Sequence, residues 1–203
     1  MQLTTLTVGP IETNCYIIAD GNTRSCAVID PGAEAQRILD CLESKNLKCR
    51  HILLTHGHSD HVDAVSGLLE ELDATVYMCE KDNGMPIGTG KDGYTVPEGS
   101  VFIKEGDVIE VGDMKIAVME TPGHTPGSVC FICESTLFSG DTLFRGSCGR
   151  TDFSMSNSQD MMNSLARLAA LTEDYEVFPG HLGPTSLDRE KRTNYFMQMA
   201  CES

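Results

Sequence analysis

The sequence predicts an α/β domain of layered sheets and helices. Three observations carry this. Short apolar strands followed by an amphipathic helix occur in that order in each half of the chain. A hydrophobic share of 40% with 19 glycines suits a globular chain with many tight turns. Polar side chains of ligand type follow directly on several apolar strands, the place where α/β sheets bind ligands. At 203 residues, one domain spanning 1–203 is the simplest count, and it can bury a sizeable core.

Residues 2–8 alternate loosely and read as a strand, which Gly9-Pro10 turns. Cys15–Ala19 and Ala27–Ile29 read as strands joined through the hairpin signal Asp20-Gly21-Asn22. Asp30-Pro31-Gly32 stops the second, and a helix over about Ala33–Lys45 presents Ala35, Ile38, Leu39 and Leu42 on one side. His51–Leu54 is a short apolar strand. A helical pattern follows it, with Val62, Val65, Leu68, Leu69 and Leu72 on one face. Thr75–Met78 returns as a strand.

Residues 83–100 are rich in Gly, Pro, Asp and Lys and aperiodic, and they read as a flap over or beside the site. Strands resume at Val108–Val111 and Met114–Met119 around a Gly112-Asp113 turn, then at Val129–Cys133 and Leu137–Ser139. The loop Thr142–Asn157 leads to a helix over about Ser158–Leu171, with Met161, Met162, Leu165 and Leu168 inward as core filler. Glu176–Phe178 is a strand. Pro184–Asn194 is polar and leads into a short terminal helix.

A formal charge of −15 and a pI near 4.6 argue against nucleic acid as the main partner, because nucleic-acid binders usually carry a basic stripe. Nine cysteines, odd in number and irregular in spacing, fit a reducing cytoplasm better than a disulfide framework. Cys130 and Cys133 form a C-x-x-C, but side chains three apart on a strand point to opposite faces, so they read as buried free thiols. There is neither a signal-peptide pattern nor a run long enough to span a membrane, and no membrane partner is expected.

Four loops share one design, in which an apolar strand ends and ligand-type side chains follow. They supply His56, His58, Asp60 and His61, then His124, then Asp141, then His181. Five of the six histidines fall in these loops, and His51, at the start of its strand, is read as structural. Neutral imidazole and carboxylate match borderline divalent ions. Seven such side chains exceed what one open tetrahedral centre uses, and they suffice for two ions sharing one carboxylate. A two-ion centre lowers the pKa of water and polarises a carbonyl or phosphoryl oxygen, a hydrolase design without a protein nucleophile. No Gly-x-Ser-x-Gly elbow is present.

The segments Thr55-His56-Gly57-His58-Ser59-Asp60-His61, Thr121-Pro122-Gly123-His124, Gly140-Asp141-Thr142-Leu143-Phe144 and Pro179-Gly180-His181 resemble the metallo-β-lactamase superfamily. They are most similar to its short glyoxalase II-like (hydroxyacylglutathione hydrolase-like) branch, over about Asn14 to Phe196. The resemblance implies a four-layer αββα sandwich with metals at one edge between two sheets. It assigns His56, His58 and His124 to a first ion, Asp60, His61 and His181 to a second, and Asp141 to a bridge. Zinc is the default metal, and iron or manganese suits the same ligands. Asp60 would help orient the attacking hydroxide.

The resemblance further implies a small-molecule substrate, an acyl thioester such as S-lactoylglutathione or a related thiol ester. In Cys148-Gly149-Arg150-Thr151-Asp152-Phe153, Arg150 occupies the family's basic position and is the candidate for meeting a substrate carboxylate. Asp152, where fuller enzymes commonly have a tyrosine, is expected to brace its own loop or a ligand histidine. Those enzymes also carry a helical extension beyond the segment Arg189–Phe196. Rival readings of the same ligands are a mononuclear iron persulfide dioxygenase, a lactonase or β-lactamase, and a non-catalytic metal-binding protein.

Overall fold

The structure, a computed structural model, describes residues 1–86 and 93–202. The first half builds a six-stranded sheet in sequence order: β1 (Gln2–Val8), β2 (Thr13–Ala19), β3 (Ser25–Ile29), β4 (Lys48–Leu53), β5 (Thr75–Cys79) and β6 (Val101–Ile103). β1, β2 and β3 pair antiparallel, and β3 to β6 run parallel. Parallel neighbours need crossovers. These carry α1 (Ala35–Ser44), then α2 (Ser59–Val62) and α3 (Val65–Glu71).

The second half repeats the plan. Its strands are β7 (Val108–Val111), β8 (Met114–Glu120), β9 (Val129–Cys133), β10 (Thr136–Gly140), β13 (Glu176–Pro179) and β14 (Thr185–Ser186). A small hairpin, β11 (Leu143–Phe144) with β12 (Ser147–Cys148), lies between β10 and β13 in the chain. The sheet order is β14-β13-β10-β9-β8-β7, with β10 and β13 parallel. Helices α4 (Ser158–Ala169), α5 (Leu187–Thr193) and α6 (Tyr195–Glu202) complete the chain.

Three apolar clusters define four layers. Ile38 and Leu42 of α1 and Val65 and Leu68 of α3 pack with Ile17, Val28 and Ile52 on the outer face of the first sheet. Ile18, Ile29 and Leu53 meet Ile116, Phe131 and Phe138 between the sheets. Met161, Leu165 and Leu168 of α4 and Met197 of α6 cover Cys130, Leu137 and Val177 on the outer face of the second. Alternation along each strand sends neighbours to opposite clusters, as Ile17 and Ile18 show. The αββα sandwich is therefore as expected. Truncating a fully buried aromatic such as Phe138 to alanine removes about 3–5 kcal/mol.

Cys130 and Cys133 fall in different clusters, and among the described residues all nine cysteines are free. No described helix is long and apolar enough to cross a membrane. Several expectations are corrected. His51 lies inside β4 rather than at its start, stacked 5.7 Å from the Tyr77 ring. The helix after the histidine cluster is two helices, because the Ala64 amide donates to Pro31 O at 3.0 Å and leaves the helical ladder. β6 lies in a stretch, 101–107, assigned no element, and β14 and α5 lie in the stretch read as a polar connection; the two strands are only two or three residues long. The flap reading of 83–100 falls partly on residues 87–92, outside the described residues. Of its flanks, Gly93 and Tyr94 line the site pocket.

Candidate active site

Both sheets present strand ends to one edge. β4 ends at Leu53 and delivers Thr55 to His61. β8 leads to His124, β10 to Asp141, and β13 to His181. The two halves are tied there by main-chain bonds. Val129 N donates to Thr55 O at 2.9 Å, and Asn14 N to Gly180 O at 2.7 Å. All seven candidate ligand side chains converge. His56, His58 and His124 form one close group, Asp60, His61 and His181 a second, and His56, His61 and Asp141 a third between them.

The distances show how tightly. His58 Nδ1 lies 2.9 Å from both His56 Nε2 and His124 Nε2. Asp60 Oδ2 lies 3.2 Å from His181 Nε2 and 3.3 Å from His61 Nε2. Asp141 reaches both groups, with Oδ1 3.4 Å from His61 Nε2 and Oδ2 3.4 Å from His124 Nε2 and 3.7 Å from His181 Nε2.

Hydrogen bonds behind the rings fix which nitrogen faces inward. The Thr55 hydroxyl donates to Asp30 Oδ2 at 2.7 Å, so toward His56 Nδ1, 3.1 Å away, it accepts. His61 Nδ1 donates to Asp30 Oδ2 at 2.9 Å, and His124 Nδ1 donates to the Arg150 carbonyl at 2.8 Å. The Nε2 atoms of these three rings therefore face inward, where a cation could take the place of protons. Buried His61 Nε2 and Asp141 Oδ1 also lack a hydrogen-bond partner among the described residues. The residues thus fit divalent ions by composition and by orphaned inward-facing atoms.

The titration behaviour follows the same crowding. Burial, then the neighbouring imidazoles, pushes His56 well down and His58 down to about 3, keeping both neutral. At His61 and His181 burial acts in the same direction, but the surrounding carboxylates outweigh it and raise both. Burial would raise Asp60, yet the neighbouring His181 and His61 imidazoles, with the Thr13 hydroxyl, hold it below the usual carboxylate range.

Glycines let the loops come this close. A Cβ on Gly32 would sit 1.5 Å from Asp60 O, and one on Gly180 would sit 2.3 Å from Asp141 Oδ1. Bracing residues outside the seven come from distant parts of the chain. Thr13 Oγ1 donates to Asp60 Oδ2 at 2.9 Å. Asn14 holds the His181 loop through bonds to Pro179 O at 3.0 Å and Leu182 O at 2.8 Å. Asp82, fully buried, accepts from Gly57 N, Thr125 Oγ1 and Gly127 N at 3.0, 2.7 and 2.6 Å, joining two ligand loops. Asp30 had a sequence signal, a carboxylate directly after an apolar strand. Asp82, in a short turn after β5, had none.

Five of the seven, His58, Asp60, His124, Asp141 and His181, line a pocket of about 700 Å³ whose walls include Ile11, Val62, Tyr94, Phe144, Phe153 and Leu182, and His56 and His61 are buried behind them. Arg150 lines it too, but its guanidinium is engaged by Asp152 at 2.9 and 2.8 Å and lies 4.6 Å over the Phe153 ring. Asp152 braces its own loop, as expected. The group behind His124 is the Arg150 carbonyl rather than the Asp152 carboxylate.

The family model described as the metallo-beta-lactamase superfamily matches residues 8–181. Hydroxyacylglutathione hydrolase GloC of Haemophilus influenzae is 31% identical, over 97% of this chain and 98% of its own. Among solved structures, TTHA1623 in a di-iron-bound form superposes with a TM-score of 0.83 at 36% identity, covering 95% of this chain and 99% of that one. The BLEG-1 B3 metallo-beta-lactamase gives 0.88 at 29% identity, covering 97% and 99%.

Proposed function

Because the chain belongs to the metallo-β-lactamase superfamily of metal-dependent hydrolases, we propose that it hydrolyses acyl thioesters with the help of two divalent ions. The candidate substrates are S-lactoylglutathione or a related thiol ester. The observation that carries this is the paired donor set. Two triads of inward-facing donors lie on either side of one carboxylate, Asp141, and open on a single pocket.

His56, His58 and His124 would hold one ion, Asp60, His61 and His181 the other, and Asp141 would serve both. Zinc is the default for such nitrogen and oxygen donors, and iron or manganese suits them as well. A bound pair supplies Lewis acidity toward the substrate carbonyl and a water acidified toward neutrality. The chain's own groups do the rest. Asp60, gripped by Thr13 and His181 yet partly open to the pocket, orients the attacking water. Asp30 and the Arg150 carbonyl keep the rings of His61 and His124 from turning. The apolar wall of Phe144, Phe153 and Leu182 excludes bulk water around the acyl group. The likeness to GloC supports the thioester class. The likeness to TTHA1623 supports a dinuclear centre and keeps iron among the candidates.

Elemental analysis of protein purified without added metal should give about two ions per chain. Metal-replete protein should then turn over acyl thioesters in preference to lactones and a β-lactam. One iron per chain with oxygen uptake on a persulfide would replace this reading with a dioxygenase. Turnover of lactone or β-lactam without any thioester turnover would replace the substrate class.

A further inference from the structure

Building on the thioester reading, we propose that Asp152 locks Arg150 away from substrate, so that the site prefers thioesters whose thiol portion carries no net negative charge. Arg150 is the only arginine or lysine among the described residues that line the pocket; Asp60, Asp63 and Asp141 line it as well. Its Nε and Nη2 form two parallel bonds to the two Asp152 oxygens, the full fork of a guanidinium–carboxylate pair. Both residues sit on one short turn, so the pair forms with little loss of chain entropy. The guanidinium is further held over Phe153, whose ring stands edge-on to His58 and His124 at 5.3 and 5.8 Å.

A substrate carboxylate must therefore displace Asp152 to use this fork, and it would meet a pair that is already neutral. Much of the remaining wall is apolar, from Ile11, Val62, Phe144, Phe153 and Leu182, while Ser59, Asp63 and Tyr94 line it without adding positive charge. Ile11 and Leu182 are 58% and 61% exposed at the mouth, where the thiol portion of a thioester would leave the pocket. Such a rim gains from burying an uncharged thiol and gains nothing from desolvating the two carboxylates of glutathione.

The test uses metal-replete full-length protein and two lactoyl thioesters with the same acyl group, one of N-acetylcysteamine, which is neutral, and one of glutathione. The neutral ester should have the higher kcat/KM, by about tenfold, with the difference mainly in KM. In Asp152→Asn the freed Arg150 should lower KM for the glutathione ester and shrink that ratio several-fold, and Asp152→Glu should restore the original ratio. Equal or better turnover of the glutathione ester by the wild type overturns the proposal, as does an Asp152→Asn variant with an unchanged ratio. Hydrolysis of neither ester fails the thioester reading itself, so the two failures are distinct.

Discussion

Asp30 Oδ2 lies 2.9 Å from His61 Nδ1 and receives the Thr55 hydroxyl at 2.7 Å, so one buried carboxylate sets the orientation of two neighbouring candidate ligand rings. Asp30 follows β3, whereas both rings follow β4, the adjacent parallel strand. The relationship places Asp30 behind the site rather than in it. Asp30→Asn keeps one acceptor for the Thr55 amide but no longer fixes the His61 tautomer. It should fold, and it should bind metal about 10–100-fold more weakly. Competition with a chromophoric chelator measures this, and an unchanged affinity would remove Asp30 from the site's support.

Removal of metal should leave the fold intact but less stable, because four imidazoles and the Asp141 carboxylate are then buried against one another without a counter-ion. At about 1,000 times the dissociation constant, metal adds about 4 kcal/mol. Chelation should therefore lower the melting temperature by on the order of 10 °C, reversibly. Asp141→Ala should abolish retention of the ion pair and activity together. Wild-type rates in that variant would refute the shared-carboxylate role.

Asp82 offers a test of support from outside the four ligand loops. It is fully buried and accepts three bonds from the Gly57 and Thr125–Gly127 segments. Burial raises its pKa even against those bonds. Asp82→Ala strands three donors, which should destabilise the protein by about 3 kcal/mol or more in urea unfolding. Metal occupancy should fall with it, since the loops of His58 and His124 lose their common anchor.

Asp20 supplies a pH prediction away from the metal. Its carboxylate accepts the Asp113 amide at 2.7 Å, the Asn22 amide at 2.9 Å and the Thr23 hydroxyl at 2.7 Å, joining a hairpin of each sheet. These bonds, that from Asp113 first, bring its pKa down to about 2. The unfolded value is about 3.9, so the ionised form favours the folded state. The stability it contributes is complete above about pH 4 and is lost as the pH falls through 2. Asp20→Asn should thus be less stable than the wild type at pH 7, with the two curves converging toward pH 2. A difference independent of pH would refute the charge as its source.

Much of the site was legible in the sequence because its chemistry is local to strand ends. Thr55 to His61 sits where the β period of Ile52-Leu53-Leu54 gives way to a helical one, and residue type alone marks His124, Asp141 and His181 in comparable loops. The core was legible for the same reason: Ile38, Leu42, Leu165 and Leu168 follow the helical period and are all buried. The short strands β6 and β14 were not, since two or three residues show no period and are set by what they pair with.

The sequence by itself determined the layered fold class, the seven ligand-type side chains and the loops that carry them. The tertiary structure decided which of those side chains lie together, which ring nitrogen faces inward, and that Arg150 is bound to Asp152. Periodicity and residue type act over a few neighbours, whereas the braces join residues far apart in the chain. Asp82 reaches Gly127 across 45 positions, and Asn14 reaches Pro179 across 165. No local pattern encodes such pairs, because they form only when both sheets pack and their strand ends meet at one edge.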